Sequence, residues 1–544
     1  MIFTSSFPDI SIPDNEDIYT NIFSCHHQNT NPALIDAPTG TKITYKDLAA
    51  SISQLSASLS ASLHLQKSDV ICIISPNNIQ YPIVVHAIVK AGGIVSPVNS
   101  GYKRKEILYQ VRDSGARFLV VDGGSLEIAV DVARQVGIPM DRVVLFDGGL
   151  EGKEGFQTVS GLIRVGRKLK VVVADRDDIR DRPSYLCYSS GTTGLPKGVL
   201  TTQLNVIANL QQFLRYNERT YETIPNADVW SAVLPFYHIY GLIVSLHVGF
   251  KLGIAVVVFP RFEFKQFLEG LVKYGVTSAH VVPPIVVAMG KHPLVDQYSF
   301  PKLRGLNCGA APLAPEVSRL VEKRIGVRTR QGFGLTETSP LCFMCPLSMS
   351  KEHPTSCGLL LASMRAKIVD VETGLELSVG REGELLVQGP NVMKGYHNNS
   401  KATSDTIDKN GWLRTGDIAK VDDNGLFYIV DRLKELIKCK GFQVAPAELE
   451  GLLLEHEAIA DAAVIGVPDE RAGEVPRAFI VLKADSNSAC TATDIEQFVS
   501  ERVADHKRLR GGVAFVSAIP KSPSGKILRR VLRSQHGGAV MAKL

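Results

Sequence analysis

The sequence predicts an α/β protein: a large N-terminal domain of parallel or mixed sheets flanked by helices, followed by a small α+β C-terminal domain. Three observations carry this. Short apolar runs alternate with helix-spaced segments through the first half of the chain. A loop rich in glycine and hydroxyl residues directly follows one of those runs. Near Asp431 the texture shifts to a charged stretch and then to a short mixed region. Strands separated by helices favour a parallel sheet with right-handed crossovers.

Taken in order, apolar residues recur at helical spacing over 45–63, with Thr44 and Asp47 placed to start the helix. The run 70–74 suits a buried strand, and 82–91 continues as a helix stopped by Gly92-Gly93. Further strands are expected at 94–98 and 118–121, and the pattern returns at 229–234, 254–259 and 277–282. In the C-terminal region, strands are expected at 463–467 and 478–483 and a helix at 494–504. The expected boundary gives domains 1–433 and 434–544.

The chain has 544 residues, enough for at least two domains. Sixty basic and 55 acidic residues leave a formal charge of +5, too balanced for a nucleic-acid binder. Nine cysteines follow no disulfide framework, which fits a reducing compartment. Cys342 and Cys345 form a lone CxxC with no second pair, so apolar packing is expected in place of zinc or redox chemistry. Asp9, Asp14, Glu16 and Asp17 near the start argue against a secretory signal. No apolar run approaches the ~20 residues of a membrane span.

The most informative run is Ser189-Ser190-Gly191-Thr192-Thr193-Gly194-Leu195-Pro196-Lys197-Gly198, with three glycines, four hydroxyls and one lysine. Glycines let backbone N–H groups approach a ligand, hydroxyls add donors, and a lysine adds charge, a set suited to a triphosphate. The spacing is not that of a Walker A loop. A linker is the alternative, and the apolar segment 185–188 just before the run speaks against it.

Four further motifs follow: Gly332-Phe333-Gly334-Leu335-Thr336-Glu337, then Trp412-Leu413-Arg414-Thr415-Gly416-Asp417, then Asp431 to Lys438 with Gly441-Phe442-Gln443-Val444, and Pro520-Lys521-Ser522-Pro523-Ser524-Gly525-Lys526. Together with the phosphate run, and in this order, they resemble the signatures of the adenylate-forming, AMP-binding enzymes over nearly the whole chain. Within that superfamily the chain is most similar to 4-coumarate–CoA ligase-like acyl-CoA synthetases of the peroxisomal type. The resemblance implies an ATP-dependent ligase: a carboxylic acid and ATP give acyl-AMP and pyrophosphate, then CoA displaces AMP. ATP, Mg²⁺ and coenzyme A are the implied cofactors and co-substrates.

The resemblance also implies roles. Ser189, Ser190, Gly191, Thr192, Thr193, Gly194 and Lys197 would hold the phosphates. Gln331, Gly332, Phe333 and Thr336 would line the nucleotide, with Phe333 on adenine, and Glu337 would hold the metal. Asp417 and Arg432 would take the ribose, and His238 would position the acid and help neutralise it. Lys526 would serve the first half-reaction, and Lys438 and Gln443, with Gly441 beside the pantetheine arm, the second. The small domain would be a mobile lid hinged at Lys434.

Tyr237, Tyr240, Asn307, Ala310, Gly334, Pro340 and Leu341 are the expected acid pocket. Asn307 stands where phenolic ligases carry a lysine, Ala310 replaces a glycine and Val244 a serine. A more apolar acid is therefore expected: a medium-chain or oxylipin-type fatty acid or an aryl acid, in secondary metabolism. The alternatives are an adenylation enzyme loading a carrier-protein thiol and a luciferase-type monooxygenase. The final Ala542-Lys543-Leu544 resembles a peroxisomal address read by an import receptor. A peroxisomal location is therefore expected, with the cytoplasm as alternative, and no nucleic-acid partner.

Overall fold

A computed structural model describes residues 1–26, 28–148, 155–169, 180–189, 195–440, 442–469, 471–483, 490–522 and 525–536. It is a mixed α/β structure whose N-terminal part is built on two large sheets. In the first, strands lie in the order Gly395–Tyr396, Lys197–Thr202, Pro183–Ser189, Ile94–Val98, Val70–Ile74, Phe118–Val121, Val143–Leu145, Gln157–Thr158. The run from Pro183–Ser189 to Gln157–Thr158 is parallel, and the other two strands add antiparallel. Val70–Ile74 is buried along its whole length, as expected of a strand covered on both faces.

The helix Tyr45–Ala61 begins where Thr44 accepts a hydrogen bond from the Asp47 N–H, and it buries Leu48, Ile52, Leu55 and Leu59 on one face. Tyr81–Lys90 packs alongside it.

The second sheet holds the wall of the cleft described below. Its parallel core runs Arg328–Gly334, Gly305–Cys308, Ser278–Val281, Val229–Ala232, Ala255–Val258, Pro32–Asp36. Leu341–Met344, Leu359–Leu360 and Lys42–Thr44 close its edges antiparallel.

A third sheet is antiparallel throughout: Ile2–Thr4, Arg365–Val369, Gly383–Gln388, Leu413–Val421, Phe427–Arg432. The sequence reading assigned no strands there. Its outermost strand pairs Ile2 with Lys367, a contact that no local pattern announces.

The C-terminal part forms its own sheet of Phe442–Val444, Ile437–Cys439, Gly473–Leu482 and Ile459–Asp469, with Val513–Phe515 parallel on Gly473–Leu482. Its core gathers Ile437, Leu449, Leu453, Val464, Phe479 and Ile495. The nine cysteines are unpaired, and burial pushes the Cys342 and Cys345 thiols up to about 12, which leaves them inert packing groups. Among the described residues no helix is long and apolar enough to cross a membrane.

Candidate active site

One large cleft runs between the C-terminal ends of the second sheet's strands and the small domain, lined by Tyr237, His238, Gly332, Thr336, Glu337, Asp417 and Lys526 among others. Open α/β sheets bind ligands at such strand ends.

Glu337 is the middle residue of the short turn Thr336–Thr338 that follows Arg328–Gly334. Its Oε1 accepts hydrogen bonds from Ser189 Oγ and Tyr396 OH, each at 2.9 Å. Lys197, the first residue of its strand, holds its ammonium 4.7 Å above the Tyr396 ring. Tyr396 therefore joins two expected site residues, and nothing in its own sequence neighbourhood marked it. The expected phosphate-loop residues Ser190, Gly191, Thr192, Thr193 and Gly194 lie outside the described residues. The donor set suits Mg²⁺, which accepts one protein carboxylate and fills its shell with phosphate and water oxygens.

Asp417 sits opposite Arg432 in the register of Leu413–Val421 and Phe427–Arg432, with Oδ1 3.5 Å from Arg432 Nε. Only 3% of the residue is exposed, and burial raises its carboxyl to about 6 against the lowering pull of Arg432 and Lys526. Its Oδ2 is buried without a hydrogen-bond partner among the described residues. An orphaned acceptor of this kind is costly, and a ribose hydroxyl is the donor that would satisfy it.

Lys526 reaches this cleft from the small domain. Its turn is closed by Ser522 N–H on the Lys526 carbonyl (2.8 Å) and by Lys526 N–H on Ser522 Oγ (3.1 Å). Burial and Arg432 push its ammonium down to about 8, while Asp417, Glu337 and Glu435 pull the other way. Gly525 lets the turn dock: its φ is +79°, and a Cβ there would lie 3.1 Å from Val282 Cγ2 and 3.3 Å from Pro284 Cδ.

His238 lines the same cleft. Burial, then Lys526, lowers its imidazolium to about 3, so the ring is neutral at pH 7. Beside the Lys526 ammonium a second cation is disfavoured. The His238 Nδ1 accepts the Tyr240 N–H at 3.3 Å, which places the ring proton on Nε2 as a donor. Gln331 lines the cleft, and its amide bonds the Leu313 N–H and the Leu313 and Pro354 carbonyls, which fixes the wall there. Phe333 lines the cleft and packs its ring 5.9 Å from that of Phe343.

The second expected set lies elsewhere. Lys438 and Gln443 face each other across the hairpin Ile437–Cys439/Phe442–Val444 and are exposed. Gly441 lies outside the described residues. Lys434 is exposed in the turn between Phe427–Arg432 and Ile437–Cys439. Beside it, Arg529 bonds Glu435 at 2.5 Å and both oxygens of Glu450 at 2.7 Å.

The acid-pocket residues Tyr237, Tyr240, Asn307, Ala310, Gly334, Pro340 and Leu341 all line the cleft. Tyr240 and Val244 lie on a widened, π-type helix, Tyr240–Val248, a form common at functional sites. Ala310 has a φ of +73°, a conformation that favours glycine. Gly334 is close-packed: a Cβ there would lie 2.0 Å from the Pro340 carbonyl oxygen.

Comparison with known proteins decides the family. A model of the AMP-binding enzymes matches residues 24–397, and one of the AMP-binding enzyme C-terminal domain matches 448–526. The chain belongs to the AMP-binding enzyme family. This AMP-binding enzyme is 38% identical to a probable 4-coumarate–CoA ligase of Dictyostelium discoideum, over 98% of this chain and 97% of that one. It is also 38% identical to a 4-coumarate–CoA ligase of Narcissus pseudonarcissus, over 98% and 96%. Its structure is similar to ATP-bound MatB from Rhodopseudomonas palustris, with a TM-score of 0.85, 25% identity, and coverage of 96% of this chain and 99% of that chain. The enzyme is an AMP-forming acid–CoA ligase of the adenylate-forming type.

Proposed function

We propose that this ligase activates a carboxylic acid with an apolar body, of medium-chain, oxylipin or aryl type, and that the arrangement described here is the one serving the first half-reaction. The observation that carries this is Lys526, set by the small domain's turn in the field of Asp417, Glu337 and His238 of the large domain.

In that half-reaction a carboxylate oxygen of the acid attacks the α-phosphorus of ATP and pyrophosphate leaves. Both reactants are anions, so the site must first bring like charges together. Lys526 supports this by offering its ammonium to the carboxylate and the α-phosphate oxygens, where charge develops. His238 donates from Nε2 to the carboxylate and adds no charge. Asp417 Oδ2 accepts from the ribose, Arg432 holds the other oxygen, and Lys197 with the loop 190–194 meets the phosphates. Glu337, beside Thr336, would hold Mg²⁺, whose charge when bound screens the phosphates.

In the second half-reaction the CoA sulfur attacks the acyl carbonyl and AMP leaves. Lys438, Gln443 and Gly441 are assigned to it after the lid turns about Lys434. A screen of acids by pyrophosphate release, with and without CoA, tests the reading. CoA-dependent AMP formation is expected, and transfer only to a holo-carrier protein would overturn it. A peroxisomal destination is proposed on the sequence Ala542-Lys543-Leu544 alone, which lies outside the described residues. Its deletion should send the protein to the cytosol with activity intact; an N-terminal fusion with an intact tail that stays diffuse would overturn it.

A further inference from the structure

The acid pocket has a polar floor. His280, Asn307 and Arg330 are register partners on three adjacent parallel strands, so their side chains form one row on one face of the sheet. All three line the cleft, yet are only 2%, 6% and 4% exposed. Two residues further along stand Val282 and Gly309, each just past the end of its strand, and Gly332 within its strand, with the Tyr240 ring close over Gly309. That upper row is small, and the lower row lies about 6.6 Å beneath it by strand geometry. A slot entering at the strand ends therefore closes on the polar row.

Its hydrogen bonds are largely spent inward. Asn307 Nδ2 donates to Ser278 Oγ at 2.7 Å, and its Oδ1 accepts from Arg330 Nε. Arg330 Nη1 bonds Glu222 and also Tyr216 OH at 3.1 Å. Glu222 in turn accepts the Leu347 N–H at 2.6 Å. Arg330 lines the cleft, and its Nη2 takes no part in the hydrogen bonds that Nε and Nη1 make among the described residues. The sequence reading held that Asn307 deprives the pocket of a cation. The next strand restores one, already neutralised by Glu222.

We propose that Arg330 is a specificity-determining residue: its Nη2 reads a neutral hydrogen-bond acceptor, a hydroxyl, ether or keto oxygen, at the end of the acid distal from the reacting carboxylate. Asn307 is a positioning residue that fixes the guanidinium plane. A second carboxylate is disfavoured because Glu222 already occupies the charge of Arg330. This inference rests on the acid–CoA ligase reading and names its substrate class.

The test compares kcat/KM for acid pairs that differ only distally: octanoate, 8-hydroxyoctanoate and octanedioate, and cinnamate with 4-methoxycinnamate. The natural enzyme should favour the neutral-acceptor member by about tenfold or more, the value of one hydrogen bond to a charged donor. Glu222→Gln leaves the guanidinium uncompensated and should raise the octanedioate to 8-hydroxyoctanoate ratio about tenfold. The double variant Arg330→Met/Glu222→Leu avoids a lone buried charge and should bring the hydroxyl preference to within twofold of unity while octanoate is still activated. Asn307→Leu should lower the kcat/KM ratio of 8-hydroxyoctanoate to octanoate, chiefly through KM for the hydroxy acid. Equal use of all members by the natural enzyme, or an unchanged ratio in the folded double variant, overturns the floor assignment alone. Failure to release pyrophosphate with any acid overturns the ligase reading with it.

Discussion

The two lysine-bearing loops of the small domain differ in almost every physical respect. The turn carrying Lys526 is docked against Val282 and Pro284, and burial holds its ammonium down to about 8. The hairpin carrying Lys438 and Gln443 is exposed and pairs only with its own sheet. A single packed core joins the two, so presenting one withdraws the other. On the roles proposed for the two lysines, the order of the half-reactions would follow from the shape of one small domain, with the contact at Gly525 favouring the first.

The sharpest way to break this comparison is to delete each lysine in turn. Lys526→Ala should slow ATP–pyrophosphate exchange about 10²–10³-fold, the scale of losing one preorganised donor at a transition state. Lys438→Ala should leave that exchange near normal and slow single-turnover transfer from pre-formed acyl-adenylate to CoA. Equal losses in both half-reactions for either variant would dissolve the distinction.

Asp417 offers a test that separates function from stability. Asp417→Asn should raise KM for ATP by one to two orders of magnitude, through loss of a charged acceptor. The same change should stabilise the ligand-free protein at pH 7. A carboxyl raised from 3.8 to about 6 in the folded state binds protons there that the unfolded state has lost. Stability therefore falls as pH rises between those values, by about 3 kcal/mol in all. Removing the ionisation should recover part of this as a higher Tm, and an unchanged or lower Tm would contradict it.

The pH profile sharpens the contrast further. The ammonium of Lys526 is the protonated form, present below about 8 and lost as pH rises through it. Adenylation should decline about tenfold per unit above that point. Lys526→Arg, which does not deprotonate in proteins, should flatten the decline whatever its absolute rate. The smallest effect is expected at the docking contact itself. Gly525→Ala imposes a positive φ on a residue with a Cβ and should cost about 1–2 kcal/mol of the docked arrangement. Adenylation should slow up to about tenfold, with acyl transfer to CoA unaffected.

Much of this was legible in the residues. Thr44 and Asp47 marked the start of Tyr45–Ala61, and apolar runs marked the central parallel strands of both large sheets, because helices bury such strands on two faces, while Pro32–Asp36, Val143–Leu145, Gly305–Cys308 and Arg328–Gly334 went unassigned. The motif residues Glu337, Asp417 and Lys526 meet in one cleft as their order implied. What escaped has a common cause. The antiparallel sheet joins Ile2–Thr4 to Arg365–Val369, Tyr396 reaches Glu337 from 59 positions away, and Glu222 meets Arg330 across 108. Such contacts are set by the packing of whole layers, and even where one partner lies in a motif, as Glu337 does, nothing local marks the residue it meets. His238 was found from its surroundings, yet its protonation state is set first by burial and then by Lys526 arriving from another domain.

The row beneath the acid pocket makes the sheet a measuring rule. Its deep mark is the strand row of His280, Asn307 and Arg330, and the next mark is Gly332 with the strand-end residues Val282 and Gly309. If that floor is the one the acid meets, as proposed, acid length is counted in pleats and not in loop conformations. Enlarging Gly332 would shift the stop by one graduation towards the strand ends, so that a family of such enzymes can retune the length it accepts in discrete steps while leaving the chemistry at Lys526 untouched.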